Sequence, residues 1–103
     1  MTNLATNDFL NCDADIARAA ELLKVMSHPI RLKIICQLGH DEKTVQQLIE
    51  SVGTTQSNVS QHLSVMREKG VVEFRKIATR AFYKVSEESA INLVKLLKNL
   101  YVK

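Results

Sequence analysis

Glycine, proline and aromatic residues are scarce: 3 Gly, 1 Pro and 5 % aromatics in 103 residues. Long all-β or glycine-loop architectures are therefore not expected. No apolar run approaches the ~18 residues of a membrane span. The first eight residues, Met1-Thr2-Asn3-Leu4-Ala5-Thr6-Asn7-Asp8, lack the basic start and apolar stretch of a signal peptide, so a cytoplasmic protein without a membrane partner is expected. No paired carboxylates, Ser/His/Asp set or phosphate-cradling glycine loop occurs, which argues against an enzyme and against a bound cofactor. What remains is an ordinary globular balance, 46 % hydrophobic and 24 % charged, in a length that suits one domain.

The net charge of +3 is unevenly spread. Residues 1–53 carry −2, residues 54–85 carry +4, and residues 86–103 carry +1. A central basic block is a candidate footprint for a polyanion, although charge alone equally fits a solvated basic surface.

Periodicity orders the chain as helices, a hairpin and a final helix. Residues 1–12 read as a flexible N-terminal segment and 13–103 as the folded domain. Ile16, Ala19, Ala20 and Leu23 fall at helical spacing over 13–26. Ser27 reads as an N-cap before His28-Pro29, with proline in the first turn where its missing N–H costs nothing. The helix that follows ends at Gly39 and is apolar on more than one face, so it should be central and mostly buried. His40-Asp41-Glu42-Lys43 reads as a polar turn, and Thr44-Val45-Gln46-Gln47 has capping-box form. A short helix should stop at Gly53, and a second should run over 56–69 to Gly70, giving a helix-turn-helix. Residues 71–76 and 81–85 have strand composition around a 77–80 loop. Ser86-Glu87-Glu88 reads as the N-cap and first turn of a last helix rich in leucine. The expected fold is a mainly α winged helix-turn-helix with a small β-hairpin.

The helix over 56–69 carries the most chemistry. With Val59 at zero and ~100° per residue, Leu63 lies at ~40° and Met66 at ~340°, forming a core stripe. Ser57, Ser64 and Gln61 fall at ~140–200°, on the opposite side. Short uncharged donors and acceptors suit base edges, and groups at a helix N-terminus suit phosphates. Thr55, Gln56, Ser57, Asn58, Ser60 and Gln61 are the candidate DNA-binding residues of this helix. His62, at the edge of the core stripe, is either a half-buried packing residue or a further DNA contact. In the hairpin, Arg75, Lys76 and Arg80 are candidates for backbone or minor-groove contacts. The bland alternatives are a plain polar helix and a solvated hairpin.

Ala20-Glu21-Leu22-Leu23-Lys24-Val25-Met26-Ser27-His28-Pro29-Ile30-Arg31-Leu32 resembles the "LLKALSHPxRL" opening of ArsR/SmtB bacterial transcriptional repressors. Thr55-Gln56-Ser57-Asn58-Val59-Ser60-Gln61-His62-Leu63 resembles that family's "QSxVSxHL" reading helix, and Arg75-Lys76 with Phe82-Tyr83-Lys84-Val85 resembles its wing. The resemblance implies a homodimer held by the first and last helices, with Ile16, Ala20, Leu93, Leu97, Leu100 and Tyr101 at the interface. It also implies two reading helices facing successive major grooves of an inverted-repeat duplex operator.

The family's usual signals are metals or thiol chemistry, so the ligand inventory matters. The segment before the turn has no Cys or His, the last helix has no His, and His28, His40 and His62 are scattered, so no metal site is expected. Two cysteines remain. Ile34-Ile35-Cys36-Gln37-Leu38 resembles the "ILCxL" segment of the family's persulfide- and redox-sensing branch (BigR, YgaV and HlyU type). There the partner cysteine sits near the end of the last helix, where this chain has Val102. Cys12 is the only replacement. Two readings of Cys36 stand open: a thiol switch induced by an oxidant or reactive sulfur, paired with Cys12, or a small buried hydrophobe. The expected function is sequence-specific DNA-binding transcription regulation. The alternatives are a winged-helix regulator without small-molecule control and a protein-interaction module on the same fold.

Overall fold

The computed structural model describes residues 9–102. The expected flexible segment over 1–12 falls mainly outside them; its residues 9–12 are exposed. The elements run α1 (Asp13–Met26), α2 (Pro29–Leu38), β1 (Lys43–Thr44), α3 (Val45–Val52), α4 (Gln56–Glu68), β2 (Val72–Ile77), β3 (Arg80–Val85) and α5 (Glu88–Tyr101). The three strands form an antiparallel sheet in the order β1-β3-β2. This is the expected winged helix-turn-helix: α3 and α4 are the turned pair, and β2–β3 is the wing.

Glycine and capping residues set the helix ends. Gly53 closes α3 at φ 81°, a left-handed conformation that glycine adopts without a Cβ penalty. Thr44 opens α3 with a complete capping box: its hydroxyl accepts from the Gln47 N–H, and Gln47 Oε1 accepts from the Thr44 N–H at 2.9 Å. Two caps differ from the sequence reading. His28, not Ser27, caps α2, its Nδ1 accepting from the Ile30 N–H at 3.2 Å, while Ser27 Oγ donates back to the Lys24 carbonyl. Glu87, not Ser86, holds the N-cap position of α5, because Ser86 Oγ donates to the Gly70 carbonyl and ties the wing's exit to its entrance.

The core gathers one face of each central element. Ile34, Ile35 and Leu38 of α2 meet Leu48 of α3 and the Val59, Leu63 and Met66 stripe of α4, all fully buried. Val25 and Met26 of α1, Val72 of β2 and Ala90 of α5 complete it. α2 is less enclosed than expected, with Ile30 and Leu32 half-buried and Cys36 exposed. β1 replaces part of the expected polar turn: Lys43 pairs with Tyr83 and Thr44 with Phe82. The wing strands also run further than the composition implied. Ile77 pairs with Arg80, leaving only Ala78 and Thr79 in the turn.

Candidate nucleic-acid interface

The core stripe of α4 fixes which way its polar face points. With Val59, Leu63 and Met66 inward, Gln56, Ser57, Asn58, Ser60, Gln61 and Ser64 are all exposed. This face carries amides and hydroxyls and no formal charge before Arg67. Its N-terminus is locally braced. Thr55 Oγ1 accepts from the Asn58 N–H at 3.1 Å, and Asn58 Nδ2 donates to Thr54 Oγ1 at 3.0 Å. Thr55 and Asn58 therefore already hold each other, which sets the entry angle of α4. Among the described residues, Ser57, Ser60 and Gln61 have no such tie.

His62 is engaged by its own protein. Its ring lies 4.3 Å from that of His28, centroid to centroid, and its Nδ1 accepts from Arg31 Nε at 3.1 Å. Arg31 Nη1 also donates to the Val25 carbonyl at 3.0 Å. One guanidinium thus links the end of α1, the start of α2 and the middle of α4. Burial lowers the pKa of His62, and electrostatic interaction with His28 and Arg31 lowers it further. With Nδ1 as the acceptor, the neutral ring carries its proton on Nε2. The packing role of His62 is thereby accounted for.

The wing's charge is partly neutralised from within. Arg75 makes a two-pronged ion pair with Glu42, at 2.7 and 2.8 Å. This pair holds the Glu42 carboxyl below its ordinary pKa and raises that of Arg75. Lys84 faces Glu73 across the strands at 4.0 Å, and Lys69 faces Glu21 at 3.7 Å. Arg67 lies over the Phe74 ring, 4.4 Å from its centroid. Among the described residues, Lys76 and Arg80 are the wing cations without a carboxylate partner. Arg75, a candidate DNA contact, is exposed and ties the wing to the loop before β1. Sequence reading missed this because Glu42 lies 33 residues away.

α5 has two apolar faces. Leu96 and Leu100 point away from the core and are 53 % and 57 % exposed, whereas Leu93 is half-buried and packs against the core. Ile16, Ala20 and Leu23 of α1 are exposed as well. Of the expected interface residues, Ile16, Ala20 and Leu100 fall on these outward faces. Leu97 and Tyr101 line a cavity of about 770 Å³ between α2 and α5. Leu23 and Leu96, outside the expected set, are exposed as well. Their outward turn is set by helical phase relative to Val25, Met26 and Ile91, which only the packed core reveals.

Cys36 opens into that cavity and is exposed, so it is not the small buried hydrophobe of the bland reading. Val102 lines the same cavity, in the position the resemblance assigns to a second cysteine. Cys12 is also exposed, at the N-cap of α1. It makes no side-chain cap bond, yet the free N–H groups of Asp15 and Ala14 lower its pKa. Cys12 does not line the cavity that holds Cys36. Among the described residues, no three His, Cys, Asp or Glu side chains converge in the manner of a metal site, and no helix is long and apolar enough to cross a membrane.

Residues 28–73, which span the helix-turn-helix and enter the wing, match the family model described as bacterial regulatory protein, arsR family. The chain is 37 % identical over 102 residues to the HTH-type transcriptional regulator YgaV of Escherichia coli K12, covering 98 % of each protein. It is 40 % identical over 82 residues to the biofilm growth-associated repressor of Xylella fastidiosa, covering 80 % of this chain and 72 % of that one. The crystal structure of the transcriptional repressor BigR from Xylella fastidiosa superposes with a TM-score of 0.84 at 36 % identity, over 88 % of this chain and 93 % of that chain. These relatives are transcriptional regulators rather than enzymes, and with fold, motif order and sequence in agreement, the chain belongs to the arsR family of bacterial regulatory proteins.

Proposed function

We propose that the protein is a homodimeric repressor-type regulator that binds an inverted-repeat duplex operator. In this reading α4 reads base edges in the major groove through Ser57, Ser60 and Gln61, with Gln56 and the first-turn N–H groups on phosphate. Lys76 and Arg80 of the wing hold the flanking backbone. The observation that carries the reading is the charge-free polar face of α4 together with two wing cations that have no carboxylate partner among the described residues. An interaction module would favour an apolar or acidic face there. The names of the relatives, repressors and transcriptional regulators, support the same conclusion. The outward leucines of α5 and the exposed apolar residues of α1 form the dimer contact, which adds burial that a domain of this size otherwise lacks.

We further infer that operator binding responds to oxidants or reactive sulfur through Cys36 and Cys12. The exposure of both thiols supports this. Operator fragments selected from a genomic DNA library by the reduced protein, then titrated with reduced, disulfide-treated and polysulfide-treated protein, test both parts. Selected fragments should share an inverted repeat, and oxidised wild type should bind them more weakly than reduced. Fragments with no common sequence would remove the operator reading. Unchanged affinity after both treatments would remove the thiol reading alone.

A further inference from the structure

The operator reading leaves the cavity between α2 and α5 without a task. Leu32 and Ile35 of α2 form one wall, and Ile91, Val94, Leu97 and Val102 the other. The lining follows α5 from Ile91 to Tyr101, ~15 Å of helix rise. Its volume of about 770 Å³ falls within the ~300–1,000 Å³ that small-molecule sites occupy. The outward leucines do not close it. At ~100° per residue, Leu96 and Leu100 lie on the side of α5 opposite Ile91, Lys98 and Val102, and neither lines the cavity.

The lining selects a kind of ligand. Both long walls are helices, whose backbone groups bond within themselves. An extended peptide would find no partners there for its own N–H and C=O groups, whereas an alkyl chain needs none. Lys95 and Lys98 stand one turn apart on α5, both exposed and both in the lining. Neither has a carboxylate partner among the described residues, and no Asp or Glu lines the cavity. The third basic group there, His40, is already engaged, its Nε2 lying 3.1 Å from Glu88 Oε2. An apolar slot flanked by two unmatched ammonium groups is complementary to an aliphatic chain with one anionic head.

We propose that this cavity binds a free straight-chain carboxylate, with the alkyl chain between α2 and α5 and the carboxylate at Lys95 and Lys98. Binding here requires neither operator nor oxidant. Cys36 is part of the lining, so a bound chain covers its thiol. Cys12 is exposed and does not line the cavity, so it stays open to solvent and serves as an internal control.

The test titrates the reduced protein with hexanoate, octanoate and decanoate, each below its micelle concentration, by isothermal titration calorimetry. Binding should saturate at one carboxylate per chain, and each added methylene should tighten it by up to about fourfold. The double variant Lys95→Gln/Lys98→Gln should bind octanoate about three- to tenfold more weakly and 1-octanol as wild type does. Both changes fall at exposed positions, and circular dichroism checks that the variant keeps its fold. Decanoate should also slow alkylation of Cys36 by iodoacetamide, read by peptide mass spectrometry, and leave that of Cys12 unchanged. Absence of saturable decanoate binding, an affinity that does not rise with chain length, or equal protection of both cysteines would overturn the proposal. So would a double variant that binds octanoate as tightly as wild type. If a second copy fills the cavity instead, Cys36 alkylation will slow as protein concentration rises and decanoate will not bind, which overturns it equally.

Discussion

Replacing Arg31 by Met tests whether the guanidinium that links α1, α2 and α4 sets the pose of the reading helix. The change keeps much of the apolar stem and deletes two hydrogen bonds, Nε to His62 Nδ1 at 3.1 Å and Nη1 to the Val25 carbonyl at 3.0 Å. Hydrogen bonds from a charged donor contribute ~1.5–3 kcal/mol each when well buried. Both of these are part-buried, so about half of that range applies, or ~1.5–3 kcal/mol for the pair. For a domain near 100 residues, each kcal/mol moves the melting temperature by ~4–8 °C, so Arg31→Met should melt about 6–24 °C lower. Thermal unfolding by circular dichroism measures this, with both proteins at one concentration because association shifts apparent stability. The variant should also lose discrimination between operator and scrambled duplex, since α4 loses its tie to α2. A stability change below ~0.5 kcal/mol, the range of ordinary surface substitutions, together with unaltered discrimination, would refute the reasoning.

His62 has a folded-state pKa below its ordinary 6.5, so the unfolded chain takes up its proton first. Its contribution to stability is therefore complete above pH ~6.5 and is lost as pH falls from there through the folded-state pKa; a pH series of melting temperatures should show this loss, and His62→Gln should remove it. Ala78 holds φ 56° at the first of two turn residues in the wing, a position that usually takes glycine in hairpins. Ala78→Gly should raise stability by ~0.5–1 kcal/mol in urea unfolding, and a destabilised variant would contradict that account. Leu100→Glu, on the outward face of α5, should shift light scattering from dimer to monomer and abolish operator binding. An unchanged dimer would move the interface elsewhere.

Much of the fold is legible in local signals. Gly39, Gly53 and Gly70, the capping box at Thr44-Gln47 and the Val59, Leu63 and Met66 stripe place the helices and their faces because each acts over a few residues. The exposed face of α4 follows directly from that stripe. What the sequence hides depends on partners distant along the chain. β1 is two residues long and exists only because β3 presents an edge to it. Arg75 looks like any other wing cation until Glu42 is brought to it. Ser27 and His28 are both plausible caps, and the choice falls to His28 because Ser27 bonds back to α1. The exposure of Cys36 depends on how far α5 stands off α2 at its last turns, a tertiary spacing that no local pattern encodes.

The central claim, an operator read by α4 and clamped by the wing, is tested most directly by a salt titration of binding. Affinity for the selected operator and for a scrambled duplex is measured by fluorescence anisotropy, for wild type, Arg80→Ala and Gln61→Ala. Each phosphate contact contributes ~0.9 to the slope of log K against log salt. Arg80→Ala removes one contact from each protomer, so it should flatten the slope by ~1.8 on both duplexes. Gln61→Ala should keep the wild-type slope and lose ~1–3 kcal/mol of preference for the operator. A wild-type affinity that is indifferent to salt, or a Gln61→Ala protein that discriminates as well as wild type, would contradict the account.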